Sequence, residues 1–449
     1  MSDICWLSAS ELAAAYRKRE LTPLNVVKHL IDRIQKYDSK INVFTHLDAQ
    51  GALHSAQRAT EELNAGKDLG PLHGIPYGVK DIIDVQGLPT TCHSELFKEN
   101  IATQDATVVS HLRQAGAIAL GKIATHEFAI GGPAFDLPFP PARNPWKTSH
   151  HPGGSSSGSG AGVGAGFFPV ALGTDTGGSV RNPAGTCGVM GFKPGYDKVS
   201  RNGVFPLSWT LDYVGPLARK VEDLASMLNI MTSVRGPKIN PDIQGLRIGF
   251  VRHYHEKDMQ AGPDTAAALQ TAVDTLQNAG ATIIDVELPP LREFIDINRA
   301  ILTPEAWATH SEFIRAHPEK YCKLSRQRIM VGAFVTAEAH LQARMMGLTL
   351  RDEVNQVFEQ VDALILVNSM NPSCEIDDEA MIVQSYFQHA RAPFNLSGHP
   401  AMSMMCGLSG DGLPISMQIV GPYDHEHRVL NIAAAYEAQT QWSDMHPTL

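Results

Sequence analysis

An α/β fold, with a mixed β-sheet core flanked by helices on both sides, is the class that this sequence predicts, and three observations carry it. Short apolar runs of strand length alternate with segments of helical spacing: Ile75–Val79, then Val108–Ala115, then Ala117–Leu120. The same alternation returns later, with strands at Ile248–Val251 and Ala281–Ile284 and a helix at Asp264–Asn278 between them. The chain has 449 residues, 43% of them hydrophobic, enough for a sizeable core.

The elements follow in order. Ser8 and Glu11 form a capping box ahead of a helix over Leu12–Arg17. Thr22-Pro23 is an N-cap with proline in the first turn, and Val27, Leu30, Ile31 and Ile34 mark one apolar face behind it. Asp48–Ala65 reads as a third helix. The strand Ile75–Val79 delivers Lys80 at its end. Phe135–Pro145 holds four prolines and should be an irregular loop. Ser157–Gly166 is glycine-rich for a helix, but its small residues suit close packing. Pro169–Leu172 reads as a short buried strand that ends at Thr174, and Asp362–Val367 as a clear apolar strand. Arg235–Pro241 is a weak candidate connector, and no repeat is visible.

Composition narrows the class of function. The formal net charge is −10, which argues against nucleic acid or an anionic membrane as a partner. The six cysteines are scattered, with no C-x-x-C pair, so neither a zinc framework nor a disulfide scaffold is expected. Met1-Ser2-Asp3-Ile4 lacks the basic and apolar regions of a signal peptide, and no apolar run approaches the ~20 residues of a membrane span. A cytoplasmic protein is expected.

Chemistry concentrates in three places. Lys80 sits in the run Val79-Lys80-Asp81-Ile82-Ile83, where burial would favour the neutral amine. Ser155 and Ser179 each follow a glycine pair, Gly153-Gly154 and Gly177-Gly178. A nucleophile needs a hydroxyl, a base and N–H donors for an oxyanion, and the consecutive N–H groups of the turn Asp175–Ser179 can form an anion-binding nest. Asp175 and Arg181 read as an ion pair supporting that turn.

Other patterns compete. Gly154-Ser155-Ser156-Ser157-Gly158 fits G-x-S-x-G, but follows a loop rather than a strand. Gly160–Ala165 fits a loose dinucleotide fingerprint, without the strand before it or the acidic residue after it. His126 and Glu127 suggest a metal or a base, but nineteen histidines give many chance neighbours.

Taken together, Gly74–Asp81, Gly153–Ser159 and Gly173–Ala184 resemble the amidase signature family. The likeness continues through Asp105–Val109, His126–Ala129, Asn144-Pro145-Trp146, Pro393–Gly398, Asp411–Pro414 and Gln418–Gly421, and is weakest from Arg235 to Ser385. It implies a single domain over residues 1–449, with a catalytic core at about 60–220 and a substrate-shaping region at about 235–385. It implies a triad of Ser179 as nucleophile, Ser155 as bridge after a cis peptide, and Lys80 as base. The oxyanion hole would lie on the backbone of Thr176, Gly177, Gly178 and Ser179. It implies no cofactor and no metal, and a small-molecule amide, carbamate or urea as substrate; association into a homodimer stays open.

Two further readings stand beside this one. The second is the ammonia-supplying A subunit of a tRNA-dependent amidotransferase, although Gly131–Asp136 departs from the amidotransferase form of that loop. A catalytically silent scaffold is the third. Phe135, Phe139, Trp146 and Trp209 are candidates for an aromatic pocket mouth, against the plainer reading that they pack.

Overall fold

The computed structural model describes residues 4–449; the segment Met1–Asp3, part of the stretch expected to lack a signal peptide, lies outside them. The described strands are β1 (Phe44–Leu47), β2 (Pro76–Lys80), β3 (Ile118–Ile123), β4 (Val170–Asp175), β5 (Met190–Lys193) and β6 (Tyr213–Ala218). They continue with β7 (Arg247–Phe250), β8 (Thr282–Asp285), β9 (Ala363–Val367), β10 (Ala401–Leu408) and β11 (Pro414–Val420). All join one sheet in the order β1-β3-β2-β4-β6-β5-β10-β11-β9-β7-β8. The centre is mixed: β2 runs parallel to both β3 and β4, while β4 runs antiparallel to β6.

Helices cover both faces. On one side, Ala49–Asn64 and Ser157–Gly164 pack on β2, β3 and β4; on the other, Val221–Met231 packs on β6 and against Thr107–Gln114. The pleat sorts the side chains accordingly. Val170 and Leu172 of β4 join one buried cluster and Ala171, between them, joins the other.

The expected elements are present. The Ser8–Glu11 capping box opens the helix Ala9–Arg17, and Thr22 caps Pro23–Ile41. Residues 235–241 form neither helix nor strand, as a connector would. Not expected from the sequence are β1, β5, β6, β10 and β11, nor the long helices Leu291–Ala316 and Ala337–Val357.

The helix Ser157–Gly164 carries glycines because these positions face close neighbours. A methyl group on Gly162 would come within 2.2 Å of the fully buried Phe168 ring, and one on Gly158 within 2.5 Å of the Ala124 backbone. Alanine gains about 1 kcal/mol over glycine inside a helix, but forcing a methyl into a filled core costs about 1–3 kcal/mol. Phe168 cannot swing clear, so overpacking wins. Gly162→Ala should therefore lower the urea midpoint and the melting temperature; a variant more stable than the parent would contradict this packing.

Candidate functional site

The site gathers where parallel strands end. β2 runs into Lys80 and β4 into Asp175, and the loop before helix Ser157–Gly164 brings Ser155 between them. Strand alternation sets Lys80 on the same side as Gly78, whose missing side chain leaves room for Phe168 and Ile123. That is the side carrying the glycine-rich helix.

Lys80 is fully buried. Its Nζ lies 2.7 Å from Ser155 Oγ and 2.8 Å from Thr174 Oγ1. Burial lowers its pKa to about 7, against weaker upward pulls from Asp175 and Asp212. The adjacent Asp81 does not oppose this, because it pairs with Lys122 at 3.1 Å, both side chains fully buried. It also accepts from the Thr91 backbone N–H and hydroxyl.

The Gly154–Ser155 peptide is cis. A methyl on Gly154 would lie 2.0 Å from the His126 ring, so a side chain is excluded there. The Ser155 carbonyl accepts from the His126 N–H at 3.0 Å. Ser156 N–H donates to the Ser179 carbonyl at 3.2 Å, which fixes the two serine segments side by side. Among the described residues no hydrogen bond joins the Ser155 and Ser179 hydroxyls. Ser156, the centre of the G-x-S-x-G match, is fully buried and stitches the loop to β4 through the Thr174 carbonyl and N–H.

The turn carrying Ser179 is built around Asp175. Its carboxylate accepts from Gly178 N–H at 2.7 Å and from Val180 N–H at 3.1 Å. Gly178 N–H, one of the donors named for an oxyanion, thus already has an acceptor. Gly177 and Ser179 are half-buried, and their N–H groups have no acceptor among the described residues. Arg181, also fully buried, reaches Asp175 with Nε at 3.1 Å and Nη2 at 2.9 Å, then Gln418 Oε1 and Asn395 Oδ1. Burial pushes the Asp175 carboxyl up, but Arg181 overrides it and the net shift is down. The Thr176 hydroxyl is held by Asp212, whose own pKa burial raises to about 6.

Ser155, Gly177, Ser179 and His126 open into a cavity of about 440 Å³. Its far wall comes from residues with no mark in the sequence: Asn298 and Arg299 on helix Leu291–Ala316, Arg328 on Lys323–Met330, and Tyr386 and Arg391 near the C-terminal motif. They carry no local signature; only the fold brings them to Ser179. Thr174 likewise reads in the sequence only as a strand end. None of the four aromatics expected at a pocket mouth lines this cavity. Phe135 and Trp209 are exposed, Trp146 donates to the Cys187 carbonyl, and Phe139 lies beside His93. His126 does line it, but Glu127 is taken up by Ser94 and Cys322. Among the described residues no group of three His, Cys, Asp or Glu is placed to hold a metal, and no helix is long and apolar enough to cross a membrane.

Residues 25–430 match the family described as Amidase. The chain is 34% identical, over 100% of its own length and 98% of the relative's, to the A subunit of the glutamyl-tRNA(Gln) amidotransferase of Roseiflexus castenholzii. It is similar in structure to a protein described as an amidase, with a TM-score of 0.90, 30% identity, and coverage of 96% and 100% of the two chains. The corresponding A subunit of Thermotoga maritima superposes with a TM-score of 0.81 at 27% identity, over 100% and 98%. Against this full-length similarity, the departure at Gly131–Asp136 does not separate the chain from the amidotransferases.

Breaking the buried pair under the turn leaves an unpaired charge, which typically costs about 3–5 kcal/mol. Asp175→Ala should therefore lose stability on that scale in urea denaturation. A loss below about 1 kcal/mol would show that Arg181 finds compensation elsewhere.

Proposed function

The chain belongs to the amidase family, and on that premise we propose that it hydrolyses a carboxamide through an acyl-enzyme on Ser179. The observation that carries this reading is the buried, counter-ion-free Lys80 set 2.7 Å from Ser155. Neutral Lys80 takes the Ser155 proton, Ser155 takes the Ser179 proton, and Ser179 Oγ attacks the amide carbon. Ser155 reaches Ser179 when a substrate orders the nucleophile's hydroxyl. The N–H groups of Thr176, Gly177 and Ser179 hold the oxyanion, and Gly178, tied to Asp175, sets their direction. The relay returns the proton to the departing nitrogen, ammonia or an amine leaves, and water releases the acid.

A second reading is that this hydrolysis supplies ammonia within a tRNA-dependent amidotransferase. The 34% identity, held along the whole chain, to a protein of that kind favours it. One surface fits such a role. Leu341, Met345 and Leu348 recur at helical spacing on Ala337–Val357 and are all more than half exposed, with Phe334 exposed nearby. The cavity favours the free hydrolase, because nothing acidic lines it to receive the ammonium of an amino acid amide.

Three measurements test these readings. An activated acyl donor should leave its adduct on Ser179, and Ser179→Ala should lower turnover by several orders of magnitude; an adduct elsewhere would remove the assignment. For the base, the sign follows from its working form. Lys80 must be neutral, so kcat/KM should rise with pH through about 7. Lys80→Arg should not restore activity, since guanidinium stays protonated. Ammonia release by the purified chain, with and without tRNA and candidate partner proteins, separates the readings. Turnover of a small amide by the chain alone supports the free hydrolase; turnover only inside a complex that amidates misacylated tRNA supports the second.

A further inference from the structure

The turn that carries Ser179 is a wall between two cavities. In front of it lies the cavity of about 440 Å³ described above. Behind it lies a second, of about 460 Å³, lined by Thr174, Thr176, Asp212 and Tyr213 and by much of the segment 200–209. Thr176 and Leu207 border both. Gly177 has little packed against it: a methyl there would meet only Asn298, at 3.6 Å. Asp175 organises the second half of the turn, through the N–H groups of Gly178 and Val180. The first half needs another anchor, since Asn298 Nδ2 reaches the Thr176 carbonyl only at 3.5 Å.

That anchor reaches across the end of the sheet. β4 and β6 run antiparallel, and their last pair before the turn is Asp175 with Tyr213. One residue further on, the ladder has ended and a side-chain bond between cross-strand neighbours takes its place. Thr176 Oγ1 donates to Asp212 Oδ1 at 2.6 Å. The other carboxylate oxygen, Oδ2, accepts from the N–H groups of Leu207 and Ser208 at 2.9 and 3.0 Å. The segment around it is fastened in turn to helix Leu291–Ala316. There Glu305 accepts from the Ser208 hydroxyl at 2.6 Å, and from the Thr210 N–H and hydroxyl at 3.1 and 2.8 Å. Burial raises the Asp212 carboxyl to about 6, against these hydrogen bonds and the charge of Arg201. It is therefore an anion, accepting on both oxygens, wherever Lys80, lowered by burial to about 7, is neutral. Asp212 lines no part of the cavity at Ser179.

We propose that Asp212 is a positioning residue of the reaction: through the Thr176 hydroxyl it fixes the first half of the turn, and so aims the N–H groups of Thr176 and Gly177 at the carbonyl that Ser179 attacks. This deepens the hydrolase reading and rests on it. An oxyanion donor contributes most when it already points to the place where charge develops, and less when it must be reoriented during the step. A charge-assisted bond from Thr176 to an anchored carboxylate removes that freedom. The two aspartates thus divide the turn, Asp175 holding its second half from below and Asp212 its first half from behind. Asp212 acts through Thr176 and not on the substrate.

The test removes the bond from either side. Thr176→Val keeps the shape and leaves the Leu207 and Ser208 bonds intact, while Asp212→Ala removes the acceptor. Each should lower kcat on a small amide about ten-fold or more, short of the roughly 100–1000-fold that outright loss of an oxyanion donor costs. For Thr176→Val the change in KM should be much smaller. Because Asp212 acts through Thr176, the double variant should lose little more than the weaker single one. Thr176→Ser, which keeps the hydroxyl, should recover most of what Thr176→Val loses. Amide hydrogen exchange, read by mass spectrometry on a peptide covering residues 175–180, should be faster in both single variants. Additive losses in the double variant would overturn the proposal, as would a Thr176→Ser protein no better than Thr176→Val. Should Asp212→Ala not fold, the contrast between Thr176→Val and Thr176→Ser still decides. A chain that forms no Ser179 adduct with any activated acyl donor would sink the hydrolase reading, and exchange in the turn would still report whether Asp212 holds it. A chain that forms the adduct, with kcat and exchange both unmoved by Thr176→Val, would sink this proposal alone.

Discussion

A lysine enclosed in protein without a carboxylate beside it is the constraint around which the centre of this molecule is arranged. Desolvating an ammonium costs several kcal/mol, and an adjacent anion would offset that and keep the proton in place. Here the anions are taken. Asp81, the next residue, is bound by Lys122, and Asp175 is bound by Arg181. What Lys80 receives instead are two neutral hydroxyls, Ser155 and Thr174. Burial therefore lowers the pKa of the amine to about 7, the range that the proposed role of Lys80 as the base for a serine requires.

The same disposition of charge shapes the turn above it. Asp175 and Arg181 form a buried pair worth little as a net source of stability, yet its carboxylate gathers the N–H groups of Gly178 and Val180 and so fixes the path of the chain through Ser179. Arg181 in turn reaches Gln418 on β11 and Asn395, so the C-terminal motifs hold the turn that carries Ser179 from behind. Glu127 ties the His126 loop to Cys322 at the start of a cavity-lining helix. The strands that carry Lys80 and Asp175 and the cavity wall are thereby coupled through buried polar contacts rather than through sequence proximity.

Much of this was legible in the sequence, for physical reasons that differ by element. The capped N-terminal helices, Lys80 at a strand end and the two glycine-flanked serines carry local signals that tertiary packing reinforces. β10 and β11 carry no such signal: Ala401–Leu408 and Pro414–Val420 are buried nearly throughout, so the alternation that marks a half-buried strand is missing. Helix Leu291–Ala316 contains Pro304 and lacks a clean apolar stripe. Arg299, Arg328 and Arg391 are ordinary as letters; they converge only when three separate segments close over Ser179. The four aromatics expected at a pocket mouth lie elsewhere, and the apolar part of the cavity wall is aliphatic instead, with Ile130, Leu207, Ile295 and Val331.

The direct measurement of the central claim is the titration of Lys80 itself in the resting protein. Selective isotopic labelling of lysine, with Lys80→Met to assign the signal, allows the side-chain resonance to be followed by NMR from mildly acidic to strongly alkaline pH. One lysine should titrate with a midpoint near pH 7, far below the ~10.4 of an exposed side chain. A Lys80 that stays protonated up to about that ordinary lysine value would contradict the claim, and the base would have to be sought elsewhere.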